Sequence, residues 1–269
     1  MKKVLTLILL IGLIGCAQCL ADQQMPEWDY PLEPEILANR TGFITLVNRD
    51  SLLDPDYEPL DLQVVNVRCV SAIRGKTLRK AALEAMRQMF DAAEADGFKL
   101  YLKSVYRSYQ TQKTIYDDRI RKIGRDDGVV AYPGSSDHQT GLGADILNYE
   151  WTKKSGMTPA FAETAEAQWM ADHCHEYGFI IRYEEDKQEL TKIIYEPWHL
   201  RYVGKETAAY MKEKHYCLEE FDAEWHSYIT QWEANGGDFE RLLMERSQPR
   251  QPVVLFVTED GEEEVSLFN

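Results

Sequence analysis

Residues 136–145 (SDHQTGLGAD) combine two side chains that can bind a metal with two glycines that can form a turn. His138 lies seven positions before Asp145, and two apolar residues follow Asp145 directly. Glycine adopts backbone conformations that other residues avoid, so a turn followed by a buried strand could bring both side chains onto one wall of a cleft. Because His and Asp both bind zinc, the segment predicts part of a zinc site. A capped turn with a hydrogen-bonded histidine is the alternative.

Residues 196–199 (EPWH) supply a third candidate ligand. A catalytic zinc usually has three protein ligands and an open fourth position, so two ligands would be too few. Residues 190–195 predict a strand that ends at Glu196, and Pro197 interrupts regular strand pairing. Glu196 and His199 would therefore lie around a bend and could face one cavity. We predict His199 as the third ligand and Glu196 as the unligated base that deprotonates water.

Arg107 lies where a predicted strand meets a predicted helix. Residues 98–106 alternate between apolar and polar side chains, as a half-buried strand does. A helix is predicted to begin near Ser108 and to run to about residue 123, with Gln112 in its first turn. The junction between a strand end and a helix start often forms a site, so Arg107 is a candidate site residue. A surface charge is the alternative.

The composition limits the fold and the partners. The chain has 269 residues, of which 44% are hydrophobic, and this suits one medium-sized domain with an elaboration or two small domains. The formal net charge is -15, with a sequence pI near 4.9. A protein this acidic is not expected to have the basic surface that binds nucleic acid or an anionic membrane. We therefore predict no nucleic-acid partner.

The first residues predict export from the cytoplasm. Lys2 and Lys3 precede an apolar run, residues 4–14, that is too short for a comfortable permanent membrane anchor. The run ends in residues 13–16 (LIGC), which resemble a bacterial lipobox. Cleavage before Cys16 and acylation of its thiol would tether the protein to the outer face of the membrane. Ordinary cleavage after Ala21, which would release a secreted protein, is the alternative.

The sequence as a whole is predicted to divide into four segments. These are a signal or lipoprotein segment (1–21), a tether and N-terminal arm (22–59), a catalytic domain (60–215) and a C-terminal extension of unknown role (216–269). Helices are predicted at 79–95, 108–123, 163–177 and 205–214, and strands at 42–47, 98–106, 179–183 and 190–195. The extension predicts one or two helices within 219–244, followed by a hairpin around residues 260–261.

With these residues identified, the sequence resembles the VanY-like zinc D,D- and L,D-carboxypeptidases of bacterial cell walls, whose fold Hedgehog signalling domains share. The similarity runs from about residue 45 to residue 215. The family pattern S-x-H-x-x-G-x-A-x-D is matched by Ser136, His138, Gly141 and Asp145. The pattern E-x-W-H is matched by Glu196, Trp198 and His199, and Y-R-S-x-x-x-Q by Tyr106, Arg107, Ser108 and Gln112. The chain departs from the pattern at Gly143, where the family usually has Ala; we expect the ligands to be undisturbed and the turn to be looser.

The resemblance implies a zinc site and a base. Zinc would be held by His138, Asp145 and His199. Glu196 would deprotonate a water molecule and later protonate the leaving amine. The implied fold is α+β, with a small antiparallel sheet carrying the zinc site, helices packed behind it and a C-terminal helical and hairpin extension.

The resemblance also implies how substrate is held. Arg107, Gln112, Ser136 and Trp198 would contact the terminal residue of a peptidoglycan stem peptide, and Arg107 would also help to stabilise the oxyanion. This agrees with physical reasoning, because an exopeptidase must recognise a free carboxylate and a guanidinium binds one through paired hydrogen bonds.

We therefore predict a membrane-tethered, extracytoplasmic zinc carboxypeptidase that removes the terminal D-alanine from peptidoglycan stem peptides. An L,D-carboxypeptidase or an endopeptidase would use the same residues, and pocket shape would decide among them. A zinc-containing binding module without turnover is the alternative from another class. Such a module would need neither Glu196 nor Arg107.

Overall fold

The computed structural model describes residues 25–73 and 75–247, together with the backbone of two short strands at 254–257 and 263–266. Cys16 and the rest of the predicted signal segment lie outside the described residues, as does the turn of the C-terminal hairpin. The chain forms two compact units, a larger one of residues 29–228 and a smaller one whose described part comprises 25–28, 229–247 and the two strands. Within the described ranges, no helix is both long and apolar enough to cross a bilayer.

The larger unit contains both helices and strands, and its last helix, α8, continues past residue 228. In chain order the elements are α1 (Pro34–Leu37), β1 (Leu62–Val64), β2 (Thr77–Arg79), α2 (Lys80–Ala95), β3 (Leu100–Ser104), α3 (Tyr109–Ile123), β4 (Gly143–Asn148), α4 (Tyr149–Thr152), α5 (Ala165–His173), β5 (Phe179–Ile181), α6 (Gln188–Thr191), β6 (His199–Tyr202), α7 (Lys205–Lys214) and α8 (Leu218–Ala234). The smaller unit contains α9 (Phe239–Ser247) and the antiparallel strands β7 (Val254–Val257) and β8 (Glu263–Ser266). The strands β7 and β8 form the hairpin that the sequence predicts.

The larger unit contains a four-stranded antiparallel sheet with the strand order β3-β4-β6-β5. Its two central strands are paired so that Asp145 lies opposite His199 and Gly143 lies opposite Arg201. Every residue of β4 is buried, as expected of a central strand that is covered on both faces. The predicted α+β fold with a small antiparallel sheet is confirmed.

Helix α2 packs its apolar side against this sheet. Leu83, Met86, Met89 and Phe90 recur at helical spacing and are buried in one hydrophobic core with residues of β3 and β4. Complete burial of each such side chain contributes roughly 1.5–3 kcal/mol. The core therefore fixes the sheet whose central strands carry the candidate ligands.

Helix α3 has the boundaries that its terminal residues predict. The Ser108 hydroxyl accepts a hydrogen bond from the backbone N–H of Thr111 at 3.3 Å, which caps the first turn. Gly124 ends the helix in the left-handed region with φ 80°. The cap fixes the junction at which Arg107 lies.

Two predicted strands are wrong. Residues 190–195 do not form a strand, because α6 occupies 188–191 and the following backbone donors bond outside any sheet. The Ile194 N–H donates to Gly128 O in a loop at 3.1 Å, and the Tyr195 N–H donates to the side-chain Oε1 of Gln188 on α6 at 3.2 Å. The strand begins instead at His199. Residues 42–47 form turns and loop, since carbonyls of this segment accept hydrogen bonds from arginine side chains rather than from a neighbouring strand.

The predicted helix at 163–177 divides into two pieces. Helix α5 ends at His173, and the 3₁₀ turn Cys174–Tyr177 follows it. Gly178 then adopts φ 86°, and a Cβ there would lie 2.8 Å from the Tyr202 ring and 3.0 Å from the backbone of Gly204. The glycine allows the chain to enter β5 beside β6 at this close approach.

A buried ion-pair network joins distant parts of the larger unit. Asp137 lies between Arg201 and Arg182, and all three side chains are fully buried. Arg182 also donates to both carboxylate oxygens of Glu219, at 2.7 and 2.8 Å. The Arg201 Nη2 donates to the carbonyls of Phe43 and Thr45, at 3.0 and 2.9 Å. The network thus links the N-terminal arm, the sheet and the first turn of α8.

We expect Glu219→Gln to destabilise the protein by about 3 kcal/mol near pH 7, because it leaves the buried guanidinium of Arg182 without a full counter-charge. Burial alone would raise the pKa of Glu219, but Arg182 outweighs it and holds this pKa below its usual range. The carboxylate therefore contributes stability above its unfolded pKa, about 4.3, and loses it as pH falls through the lower folded pKa. Urea unfolding of both proteins at several pH values measures this difference. A difference that persists unchanged into strong acid would contradict the assignment.

Candidate metal centre and active site

The structure brings three predicted ligands together. Asp145 and His199 face each other across β4 and β6, and His138 lies in the 3₁₀ turn Asp137–Thr140 just before β4. One donor atom from each side chain lies within 4.8 Å of the other two, and all three residues are buried. The Asp145 Oδ1 is 2.9 Å from His199 Nδ1 and 3.4 Å from His138 Nε2.

This donor set fits zinc. The His138 Nδ1 lies 2.7 Å from Val105 O, so Nδ1–H donates to that carbonyl and the Nε2 lone pair is left facing Asp145. A tetrahedral zinc with bonds of about 2.0–2.1 Å places neighbouring donors roughly 3.3 Å apart. The 3.4 Å separation between His138 Nε2 and Asp145 Oδ1 matches this spacing. Two imidazole nitrogens and one carboxylate oxygen also leave a fourth position open.

The charge states of the ligands suit metal binding. Burial and the nearby Arg107 guanidinium lower the pKa of His138 to about 4, so its imidazole is neutral near pH 7. Burial alone would raise the pKa of Asp145, but His138 and His199 outweigh it and keep this pKa below its usual range. The ligands thus present a neutral imidazole and an ionised carboxylate, which are the forms that bind a metal.

Glu196 lies beside the ligands without joining them. Its Oε2 is 3.8 Å from His199 Nδ1, and the backbone N–H of Glu196 donates to Tyr183 O at 3.0 Å. Burial raises the pKa of Glu196 well above its usual range, and the negative charge of Asp145 raises it further. A raised pKa increases the proton affinity of a carboxylate, which suits a base that must accept a proton.

The predicted substrate contacts line one cavity with the ligands. The cavity has a volume of about 330 Å³. Its lining includes the three ligands and Glu196, together with Arg107, Gln112, Ser136 and Trp198. A wall of apolar side chains completes it, among them Ile115, Val129, Val130, Met157 and Ile193. The structure therefore brings all eight predicted site residues of the catalytic domain into one place.

Arg107 is not a surface charge. Its Nε is buried and has no hydrogen-bond partner among the described residues, while its backbone N–H donates to His138 O at 3.1 Å. Burial lowers the pKa of Arg107, and the charges of Asp145 and Glu196 oppose this effect. The guanidinium thus has a donor to offer to a ligand that enters the cavity.

Gln112 is oriented by its own hydrogen bond. Its Nε2 donates to Ala131 O at 2.7 Å. Its Oε1 is buried and makes no hydrogen bond within the described part of the chain. Gln112 therefore has a free acceptor on its oxygen, whereas one of its donors is already engaged.

Sequence reasoning missed the residues behind the ligands, namely Asp137, Arg182 and Arg201. Burial alone would raise the pKa of Asp137, but Arg201 and Arg182 outweigh it and hold this pKa below its usual range. One signal was available in the sequence: Arg201 follows His199 by two positions, so both side chains lie on the same face of a strand. Tyr183 was also missed; its ring packs against His199 with centroids 5.1 Å apart.

The structure explains why residue 143 is glycine, which the sequence did not reveal. A Cβ at this position would lie 2.9 Å from both the carbonyl carbon and the Cβ of Asp137. The departure from the family pattern is therefore more than an exchange of one small residue for another, because the missing Cβ lets Asp137 approach β4 closely.

We expect Gly143→Ala to destabilise the protein by about 1–3 kcal/mol, because the turn that carries Asp137 must move to relieve the contact. Gly156→Ala is the matched control, since a Cβ at Gly156 would meet nothing within 4 Å. Urea unfolding of the two variants measures the effect. Equal stability of the two would show that glycine is not required at 143.

Comparison with known proteins places this site in a family. A family model described as VanY, D-alanyl-D-alanine carboxypeptidase, matches residues 75–205. YodJ of Bacillus subtilis (strain 168) is 41% identical over 193 residues, which cover 70% of this chain and 69% of YodJ.

Solved structures of related peptidases have a similar fold. The LdcB LD-carboxypeptidase superposes with a TM-score of 0.62 at 42% identity, covering 66% of this chain and 84% of LdcB. The vancomycin-resistance D,D-pentapeptidase VanY, solved as a mutant in complex with Zn(II), superposes with a TM-score of 0.53 at 30% identity, covering 66% of this chain and 98% of that one. These likenesses indicate a peptidase. With the family match and the shared fold, they show that the chain belongs to the VanY family of D-alanyl-D-alanine carboxypeptidases.

Proposed function

We propose that the chain is a zinc-dependent D-alanyl-D-alanine carboxypeptidase that hydrolyses the terminal D-alanine from peptidoglycan stem peptides. The observation that carries this proposal is the convergence of three buried ligands, the partly buried carboxyl of Glu196 and the partly buried guanidinium of Arg107 on one cavity. The family match and the zinc complex of the related VanY structure support it.

His138, Asp145 and His199 would hold the zinc. Bound there, zinc supplies Lewis acidity, which polarises a carbonyl oxygen and makes a water molecule easier to deprotonate. Glu196 accepts the proton from the attacking water at its carboxylate and later delivers it to the leaving amine. Burial increases the proton affinity of Glu196, and the enclosed position keeps the proton beside the reacting bond.

The terminal carboxylate of the substrate would be bound by Arg107. The guanidinium lies in the cavity wall, and its buried Nε has a hydrogen to donate. A carboxylate and a developing oxyanion would both be stabilised by that positive charge. Ser136 and Gln112 line the same wall and would orient the terminal residue through their hydroxyl and amide groups.

Cleavage of tetrapeptides is the second candidate activity. The structure superposes better on the LdcB LD-carboxypeptidase than on the D,D-pentapeptidase, with TM-scores of 0.62 and 0.53. An L,D-carboxypeptidase or an endopeptidase would use the same ligands and base. A binding module without turnover is less compatible with the site, because Glu196 and Arg107 both line the cavity beside the ligands.

The test is mass spectrometry of the zinc-loaded protein, without residues 1–21, after separate incubation with muramyl pentapeptide and muramyl tetrapeptide. We expect loss of one alanine from the pentapeptide. Loss from the tetrapeptide instead would assign the L,D activity. Glu196→Ala should retain zinc and lower the rate by at least ~100-fold, because the general base is gone.

His138→Ala is the complementary variant and should lose the metal. If Glu196→Ala keeps the full rate, the base is misassigned. If His138→Ala still holds one equivalent of zinc, the ligand set is wrong. No change in either peptide while the wild-type protein holds zinc would favour the binding module.

We also propose that Cys16 carries a lipid that tethers the protein outside the cytoplasm. The support is the apolar run that ends in residues 13–16 (LIGC). Cys16→Ser should move the protein from the membrane fraction of expressing bacteria to another fraction, and detergent-phase partitioning should be lost. Ala21→Asp, which blocks ordinary cleavage at the alternative site, is the matched control and should leave partitioning unchanged. Unchanged partitioning of Cys16→Ser would contradict the lipid anchor.

A further inference from the structure

Two buried polar atoms face each other behind the candidate metal centre. The His199 Nε2 and the Asp137 Oδ2 are 4.0 Å apart. Both atoms are buried; the His199 Nε2 makes no hydrogen bond within the described residues, whereas the Asp137 Oδ2 is ion-paired with the Arg182 Nε at 2.9 Å. Buried polar atoms in folded proteins are nearly always hydrogen-bonded, so the unpartnered Nε2 of His199 calls for a physical reason.

The chemistry of imidazole supplies that reason. A neutral imidazole carries one proton, and a metal can bind only the nitrogen that lacks it. The Nδ1 of His199 is the nitrogen that lies among the other ligand atoms, 2.9 Å from Asp145 Oδ1. The proton must therefore lie on Nε2 when Nδ1 binds a metal. The Asp137 carboxylate lies 4.0 Å from this Nε2.

We propose that Asp137 is a positioning residue for the metal centre, with its Oδ2 accepting the Nε2–H of His199 and so holding the imidazole in the metal-binding tautomer and orientation. This inference rests on the proposed zinc function. A histidine ligand commonly donates its other N–H to a carboxylate, and such partners contribute strongly to metal affinity.

The surroundings keep Asp137 in place for this role. Its Oδ1 pairs with Arg201, and its Oδ2 lies 2.9 Å from Arg182 Nε. A carboxylate oxygen has two lone pairs, so Oδ2 can accept from His199 while it remains beside Arg182. Gly143 leaves the space that the Asp137 backbone occupies. The ring of His199 would need to approach by about 1 Å to reach ordinary hydrogen-bond length.

Zinc affinity distinguishes a positioning role of Asp137 from a purely structural one. We would measure the zinc dissociation constant by competition with a chromophoric chelator, and stability by urea unfolding, for the wild-type protein, Asp137→Asn and Glu219→Gln. Glu219→Gln is the matched control, because it removes the other carboxylate of the same arginine network and lies on α8, away from the imidazole. We expect Asp137→Asn to weaken zinc binding by about 10–100-fold and Glu219→Gln to change it by less than about 2-fold, although both lose stability.

Two outcomes would overturn the inference: wild-type zinc affinity in Asp137→Asn, or an equal loss of affinity in Glu219→Gln. Should Asp137→Asn not fold, Asp137→Asn combined with Arg201→Gln removes one charge of each sign, and its zinc affinity decides in the same way. A wild-type protein that binds no zinc would instead overturn the proposed function, and this inference with it.

Discussion

The enclosure of Asp137 by two arginines is the interaction on which the larger unit depends. Moving one carboxylate and two guanidiniums out of water costs several kcal/mol for each ion, and only close pairing offsets that cost. Glu219 supplies a second negative charge, so the two arginines are balanced. Loss of one member would leave an uncompensated buried charge, and the stability of this unit is therefore tied to groups that lie far apart in the sequence.

The register of the central strands places the candidate ligands and the buried ion pairs next to each other on one face of the sheet. Asp145 and His199 form one cross-strand pair, and Gly143 and Arg201 form the next pair on that face. A slip of one residue would turn all of these side chains to the opposite face. The candidate ligands come together in the register that also seats Arg201 beside Asp137, so the candidate metal site and the buried ion pairs depend on the same strand pairing.

The N-terminal arm takes part in this arrangement through its backbone. Carbonyls of Phe43 and Thr45 accept hydrogen bonds from Arg201, and the Leu53 N–H donates to Gly134 O at 2.8 Å. Gln139, inside the ligand-bearing turn, donates to Asp54 O at 2.9 Å. Residues 43–54 thus brace the turn that carries His138, although they contribute no side chain to the cavity. This explains why the segment forms loops rather than the predicted strand: its carbonyls are used by side chains.

The sequence alone was enough to single out His138, Asp145, His199 and Glu196, because few residue types bind zinc or accept a proton and because glycine and proline mark the turns beside them. It also predicted α2 and α3, whose apolar spacing and caps are local signals. Only the tertiary structure decided the arrangement of Asp137 and its arginines. The burial of a charge depends on counter-charges and carbonyls that lie distant in the chain, and apart from the two-residue spacing of His199 and Arg201 no sequence pattern indicates those partners. The strand at 190–195 was mispredicted because a helix takes residues 188–191 and the backbone N–H of Ile194 bonds to the carbonyl of Gly128, which lies in a distant loop.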